Sequence, residues 1–210
     1  MSVCTENRET GGIVTENKLL LVGCGILRKE VDFLIVKNNW PVKTLFLDSA
    51  LHIDFDRLAG ALSSALAKHR NEGCIVFYGS CHPLMERMLA ETGTFRVRGQ
   101  NCCEMLLGRE QFTDELLSGA YFLLEEWAGR WEQIIGKTFN TTRLEIIRDI
   151  FGEDRKYLLG VRTPCSADFT IEAERAARMV DLPLRWTDVS LDHLETVLSE
   201  AITRKLRESG

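Results

Sequence analysis

Apolar runs alternate with helically spaced stretches along almost the whole of this 210-residue chain. The runs predict strands at 18–23, 43–47, 74–78, 94–97, 120–124, 156–161 and 184–187. Between them Leu58, Leu62, Ala65 and Leu66 form one helical stripe, with Asp56 as its expected N-cap. Pro83 is placed to open a helix through Met85, Met88 and Leu89, and Gly93 to close it. The last helix carries Leu191, Leu194, Val197, Leu198, Ala201 and Ile202 on one face, capped by Ser190. Strands alternating with helices predict an α/β fold: a mostly parallel, doubly wound sheet with helices on both faces and right-handed crossovers. Residues 1–17 read as a loose polar tail and 18–210 as a single α/β domain. A longer helical stretch at 127–151, broken at Gly129, Gly136 and Gly152, is where the sheet would divide if the domain has two lobes.

Charge and composition narrow the partners. The chain is 45% hydrophobic and 27% charged, with a net charge of −5 and basic residues scattered among acidic ones. That balance argues against nucleic acid, whose phosphates draw on clustered Lys and Arg. The start lacks the apolar stretch of a signal peptide, and no run approaches the roughly 20 apolar residues of a membrane helix. The expected setting is the cytoplasm, where the seven cysteines stay reduced.

Those cysteines are the candidate chemistry. Cys24, Cys81 and Cys102 each follow an apolar run. In a parallel sheet the carboxyl ends lie along one edge, so three thiols far apart in sequence would converge there. Cys24 sits between two glycines that permit close approach of a ligand, although a small buried strand-end residue satisfies the same pattern. Cys81, before His82-Pro83, is expected at a helix N-terminus, where the dipole favours a thiolate; an inert turn residue is the alternative. Of the vicinal pair Cys102 and Cys103, only one is expected to serve the site, because adjacent helical side chains diverge. Cys74 reads as core and Cys4 as part of the tail, while Cys165 and His82 are possible additional ligands.

Thiolates favour zinc, Cu(I) or iron–sulfur clusters, so an iron–sulfur cluster or zinc is the expected cofactor. Arg98 is expected beside the thiols, with Arg162 and Asp48 reaching the same edge to bind a small-molecule substrate. Two other functions stay open: a thiolate- or zinc-dependent methyltransferase, and a non-catalytic module for a tetrapyrrole, corrinoid or other small molecule. No Gly-x-Gly-x-x-Gly, Walker A or Asp-x-His-x-x-Gly pattern occurs, which disfavours dinucleotides, nucleoside triphosphates and base-off corrinoid.

Tyr78-Gly-Ser-Cys81, Arg98-Gly-Gln-Asn-Cys102 leading to Leu107-Gly108, the early Cys24-Gly25, and Gly119-Ala-Tyr-Phe-Leu through Trp127 and Trp131 resemble an uncharacterised family of anaerobic archaea and bacteria. That family carries Cys-Gly, Tyr-Gly-x-Cys and Arg-Ala-His-Asp-Cys motifs, and this chain departs from it with Gln100-Asn101 in place of His-Asp. The resemblance implies a setting in one-carbon and methyl metabolism near a corrinoid methyltransferase system. The anaerobic setting tilts the cofactor toward iron–sulfur.

Overall fold

The computed structural model describes residues 19–209. The proposed tail and Cys4 lie outside the described residues. In chain order the elements are β1 (Leu19–Cys24), α1 (Arg28–Lys37), β2 (Val42–Leu47), α2 (Phe55–Lys68), β3 (Cys74–Phe77), α3 (Met85–Glu91), α4 (Cys102–Leu107), α5 (Arg109–Leu117), β4 (Ala120–Leu123), α6 (Glu125–Ala128), α7 (Trp131–Phe139), α8 (Leu144–Asp154), β5 (Tyr157–Arg162), α9 (Thr170–Val180), β6 (Leu184–Asp188) and α10 (Asp192–Ser209).

The α/β expectation holds, but the strands form two sheets rather than one. Parallel strands in the order β2-β1-β3 make the first sheet, and parallel β4-β5-β6 the second. The central strand of each is almost wholly buried: Leu19-Leu20-Leu21-Val22-Gly23-Cys24 in β1, and Tyr157 to Val161 in β5. The division falls at α3–α5, not at the helical stretch after Trp127, which is instead the crossover from β4 to β5 within the second sheet. Within that stretch Gly136 and Gly152 lie inside α7 and α8; the break between those helices is Asn140, in the left-handed region at φ 49°.

Alternation along β5 joins the two sheets. Tyr157, Leu159 and Val161 enter a large core shared with β1, β3, α1 and α10, while Leu158 enters a smaller one under α7, α8 and α9. The apolar face of α10, Leu194, Val197, Leu198, Ala201 and Ile202, packs into that shared core. Although α10 follows the second sheet, it lies against α4, β3 and β1 of the first. The Lys37–Glu195 ion pair, 2.7 Å, fixes it beside α1. Among the described residues no helix is long and apolar enough to cross a membrane.

Three local expectations change. Asp54, not Asp56, caps α2, its carboxylate accepting the Arg57 N–H at 3.1 Å. The helix after Pro83 starts at Met85 with Leu84 as its N-cap, although Gly93 does take the positive φ expected after its end. The segment 94–97 forms no strand; it meets β3 in a single bridge, Val76 to Arg96. The Arg96 side chain then turns to the Gly99 carbonyl, 2.6 Å away, as the chain leaves the sheet.

A buried carboxyl links the halves. Glu30 on α1 is only 6% exposed and accepts a hydrogen bond from Thr163 Oγ1 at 2.8 Å, just beyond β5. Burial pushes its pKa up, partly opposed by the Thr163 hydrogen bond. A carboxyl raised in the folded state contributes its stability below the unfolded pKa and loses it as pH rises through the folded one. Glu30→Gln keeps the acceptor and has no proton to lose. Thermal unfolding is therefore expected to show a gain in Tm for the variant at about pH 8 and little change at about pH 4.

Candidate functional site

Two glycine-dependent loops bring the cysteines together. Cys24 closes β1, at the carboxyl end of the first sheet. Beyond β3, Tyr78-Gly79-Ser80-Cys81 runs against the loop that enters α4, and the Ser80 N–H donates to the Gln100 carbonyl at 2.8 Å. A Cβ on Gly79 would sit 2.5 Å from Asn101 Cα and overlap the Gln100 carbonyl, so only glycine allows this approach. Arg96 stitches the same loops, donating from Nη2 to Ser80 Oγ (3.2 Å) and from Nη1 to the Gly99 carbonyl.

Cys102 opens α4. Asn101 is the cap: its Oδ1 accepts the Glu104 N–H at 2.9 Å, and Glu104 reaches back to accept the Gln100 N–H at 3.1 Å. Asparagine caps as well as aspartate, so the departure at Gln100-Asn101 preserves the turn that presents Cys102.

Cys24, Cys81, Cys102 and Cys103 line one cavity of about 430 Å³. Its opposite wall comes from Ala120, Tyr121 and Phe122 of β4, an edge strand of the second sheet. Phe55, Phe77 and Phe112 add apolar surface, and His52 stacks on Trp127 with ring centres 4.7 Å apart. Burial holds the His52 imidazole below its usual range and favours its neutral form. The Trp127 indole donates to Ser49 Oγ, which itself donates to Glu126, so this wall is anchored behind.

The thiols differ in acidity. Hydrogen bonding from the Cys103 thiol, together with the Cys103 and Cys102 backbone N–H groups, lowers the pKa of Cys102 against the effect of burial. Burial and the nearby Cys102 push Cys24 well up and Cys81 to about 11. Cys103 is raised by its hydrogen bond to Cys102 and by burial. Both vicinal thiols line the cavity. The easily ionised sulfur is Cys102; Cys81, three residues before the Leu84 cap, gains no helix start to hold a thiolate. Among the described residues no group of three or more His, Cys, Asp or Glu side chains is gathered to hold a metal ion.

Other expected residues lie elsewhere. Arg98 pairs with Glu200 at 3.3 Å on the surface, drawn there by α10. Arg162 lies over the Trp186 ring, 4.3 Å from its centre, and 3.4 Å from Asp188. Asp48 caps the turn after β2 and pairs with Arg130 at 2.8 Å, lining a separate polar cleft of about 580 Å³. Cys165 is buried beside Thr163, and His82 Nδ1 accepts the Leu84 N–H at 3.0 Å; neither lines the thiol cavity. Sequence reading missed Tyr78, His52 and Arg155 as members of the cavity. Tyr78 carried a signal, since it stands inside the Tyr-Gly-x-Cys motif.

No curated protein and no solved structure matches this chain. A family described as proteins of unknown function, DUF1638, matches residues 46–198, a span that holds Cys81, Cys102 and Cys103 and begins after Cys24. That span is well over half of the sequence, and the chain belongs to the DUF1638 family.

Proposed function

We propose that the protein binds a soft metal centre, an iron–sulfur cluster or zinc, through Cys24, Cys81 and Cys102, beside a pocket for a small molecule. One observation carries this reading: three thiols 57 and 21 residues apart line a single largely apolar cavity. Thiolate sulfur selects zinc or iron–sulfur over hard cations. Burial first, and the neighbouring Cys102 next, raise Cys24 and Cys81, and a bound cation would offset both by favouring the thiolates. Ligation requires the side chains to close in from their present positions. When bound, such a centre would supply Lewis acidity or electron transfer. The protein's own residues present the sulfurs and exclude water.

The low acidity threshold of Cys102 favours a second reading, thiolate- or zinc-dependent methyl transfer, with Cys102 rather than Cys81 as the acceptor. A cytoplasmic role in anaerobic one-carbon metabolism, beside a corrinoid methyltransferase system, rests on the family resemblance of the cysteine motifs. The stacked His52 and Trp127 wall also suits a non-catalytic binding module.

Anoxic reconstitution separates these. With ferrous iron and sulfide the protein is expected to gain the broad visible absorbance of sulfur-to-iron charge transfer, or with zinc to bind one ion. Cys24→Ser, Cys81→Ser and Cys102→Ser should each abolish it. A colourless protein that takes up neither metal would overturn the metal reading.

A further inference from the structure

Two of the polar side chains lining the thiol cavity have no side-chain hydrogen bond or ion pair among the described residues. Tyr78 is 3% exposed and its hydroxyl has no hydrogen-bond partner among the described residues. An unpaired buried hydroxyl is costly, so it is ordinarily satisfied unless a ligand is to complete it. Arg155, at the end of α8, also lines this cavity. Among the described residues its guanidinium has no ion pair or hydrogen bond, unlike Arg96, Arg130 and Arg162. Burial and the neighbouring Cys103 raise the pKa of the Tyr121 phenol, and the positive charge of nearby Arg155 partly opposes them. Most of the remaining surface is aromatic or apolar, much of it from Phe55, Phe112, Phe122 and Trp127, with His52, Gln100, Asn101 and the thiols as its other polar members.

We propose that the cavity takes a flat, mainly apolar organic acid, its ring body on the aromatic walls, its anionic group on Arg155 and a second acceptor atom on the Tyr78 hydroxyl. Aromatic walls bind a planar body through area and stacking, while a few polar groups fix its orientation. Guanidinium favours an oxyanion, and a phenol donates one hydrogen bond to an acceptor. This ligand class rests on the cavity being the ligand site of the proposed function, and needs no metal.

The test uses anilinonaphthalene sulfonate, an aromatic anion whose emission rises in apolar surroundings, and uncharged phenylnaphthylamine as its neutral counterpart. Both are titrated into metal-free and metal-treated full-length protein. The sulfonate is expected to bind at one site per chain, quench Trp127 and outcompete the neutral probe. Arg155→Met should weaken the sulfonate by about tenfold and leave phenylnaphthylamine unchanged. Tyr78→Phe, which keeps the ring packing, should weaken the sulfonate by about threefold. Equal binding of the two probes, or sulfonate affinity unaffected by Arg155→Met, overturns the proposal. Sulfonate binding without metal uptake would sink the metal reading and leave this one standing. Metal uptake with no discrimination between the probes would do the reverse.

Discussion

Gly79→Ala is expected to cost about 1–3 kcal/mol in urea unfolding and to abolish metal uptake at the cysteines. The added methyl would have to occupy the position of the Gln100 carbonyl and the Asn101 backbone. Backbone cannot rotate away as the end of a flexible side chain can. The two loops must part, and the Ser80–Gln100 hydrogen bond that joins them is lost. Cys81 and Cys102 stand on opposite sides of that seam, so they separate with it. Gly60→Ala supplies the comparison: a Cβ there meets nothing within 4 Å on the helix α2, so it should be neutral or stabilise by about 0.5–1 kcal/mol. Equal metal uptake by Gly79→Ala and the parent would detach the loop seam from the site.

The second large effect lies away from the site. In the central strand of the second sheet, a Cβ on Gly160 would sit 2.5 Å from Cε3 of Trp186, its partner across β5 and β6. Trp186 packs edge-on to Phe169, with ring centres 5.1 Å apart, and lies beneath Arg162. Gly160→Ala must displace that ring, with an expected loss of about 1–3 kcal/mol by urea unfolding. A Trp186→Leu background, which removes the clashing ring, should suppress most of the additional loss in a double-mutant cycle. Under folding conditions this variant should still take up metal as the parent does. Together the glycine pair distinguishes general destabilisation from the parting of the cysteine loops.

Much of the architecture was legible because buried parallel strands leave a strong mark. Leu19-Leu20-Leu21-Val22 and the run through Leu158 and Leu159 have no other economical use than the middle of a sheet. The stripe of α10 was equally plain. What it packs against was not, because a 3.6-residue period specifies a buried face but not which sheet receives it. The division into two sheets was hidden for the same reason: every strand is parallel, and pairing order leaves little trace in any one strand. The segment at 94–97 reads as a strand because Phe95 and Val97 alternate with arginines; it meets β3 in one bridge only, and the Arg96 side chain bonds the Gly99 carbonyl.

At the site, positions after apolar runs made it readable that Cys24, Cys81 and Cys102 would share the lining of one cavity, although among the described residues they are not gathered as a metal-holding group. The electrostatics were not. Arg98 and Arg162 follow the expected segments yet find surface partners in Glu200 and Asp188. Cys102 and Cys103 both reach the cavity from a helix start set by the Asn101 cap. Arg155 reaches the cavity from the loop before β5, a tertiary neighbour no local pattern announces.

Metal-edge X-ray absorption on anoxically reconstituted protein tests the central claim most directly. Three closing thiolates predict a sulfur shell at about 2.3 Å, with roughly three sulfurs per metal and the sulfur count reduced in Cys24→Ser, Cys81→Ser and Cys102→Ser. A shell of oxygen and nitrogen only, or a sulfur count indifferent to all three substitutions, would contradict it.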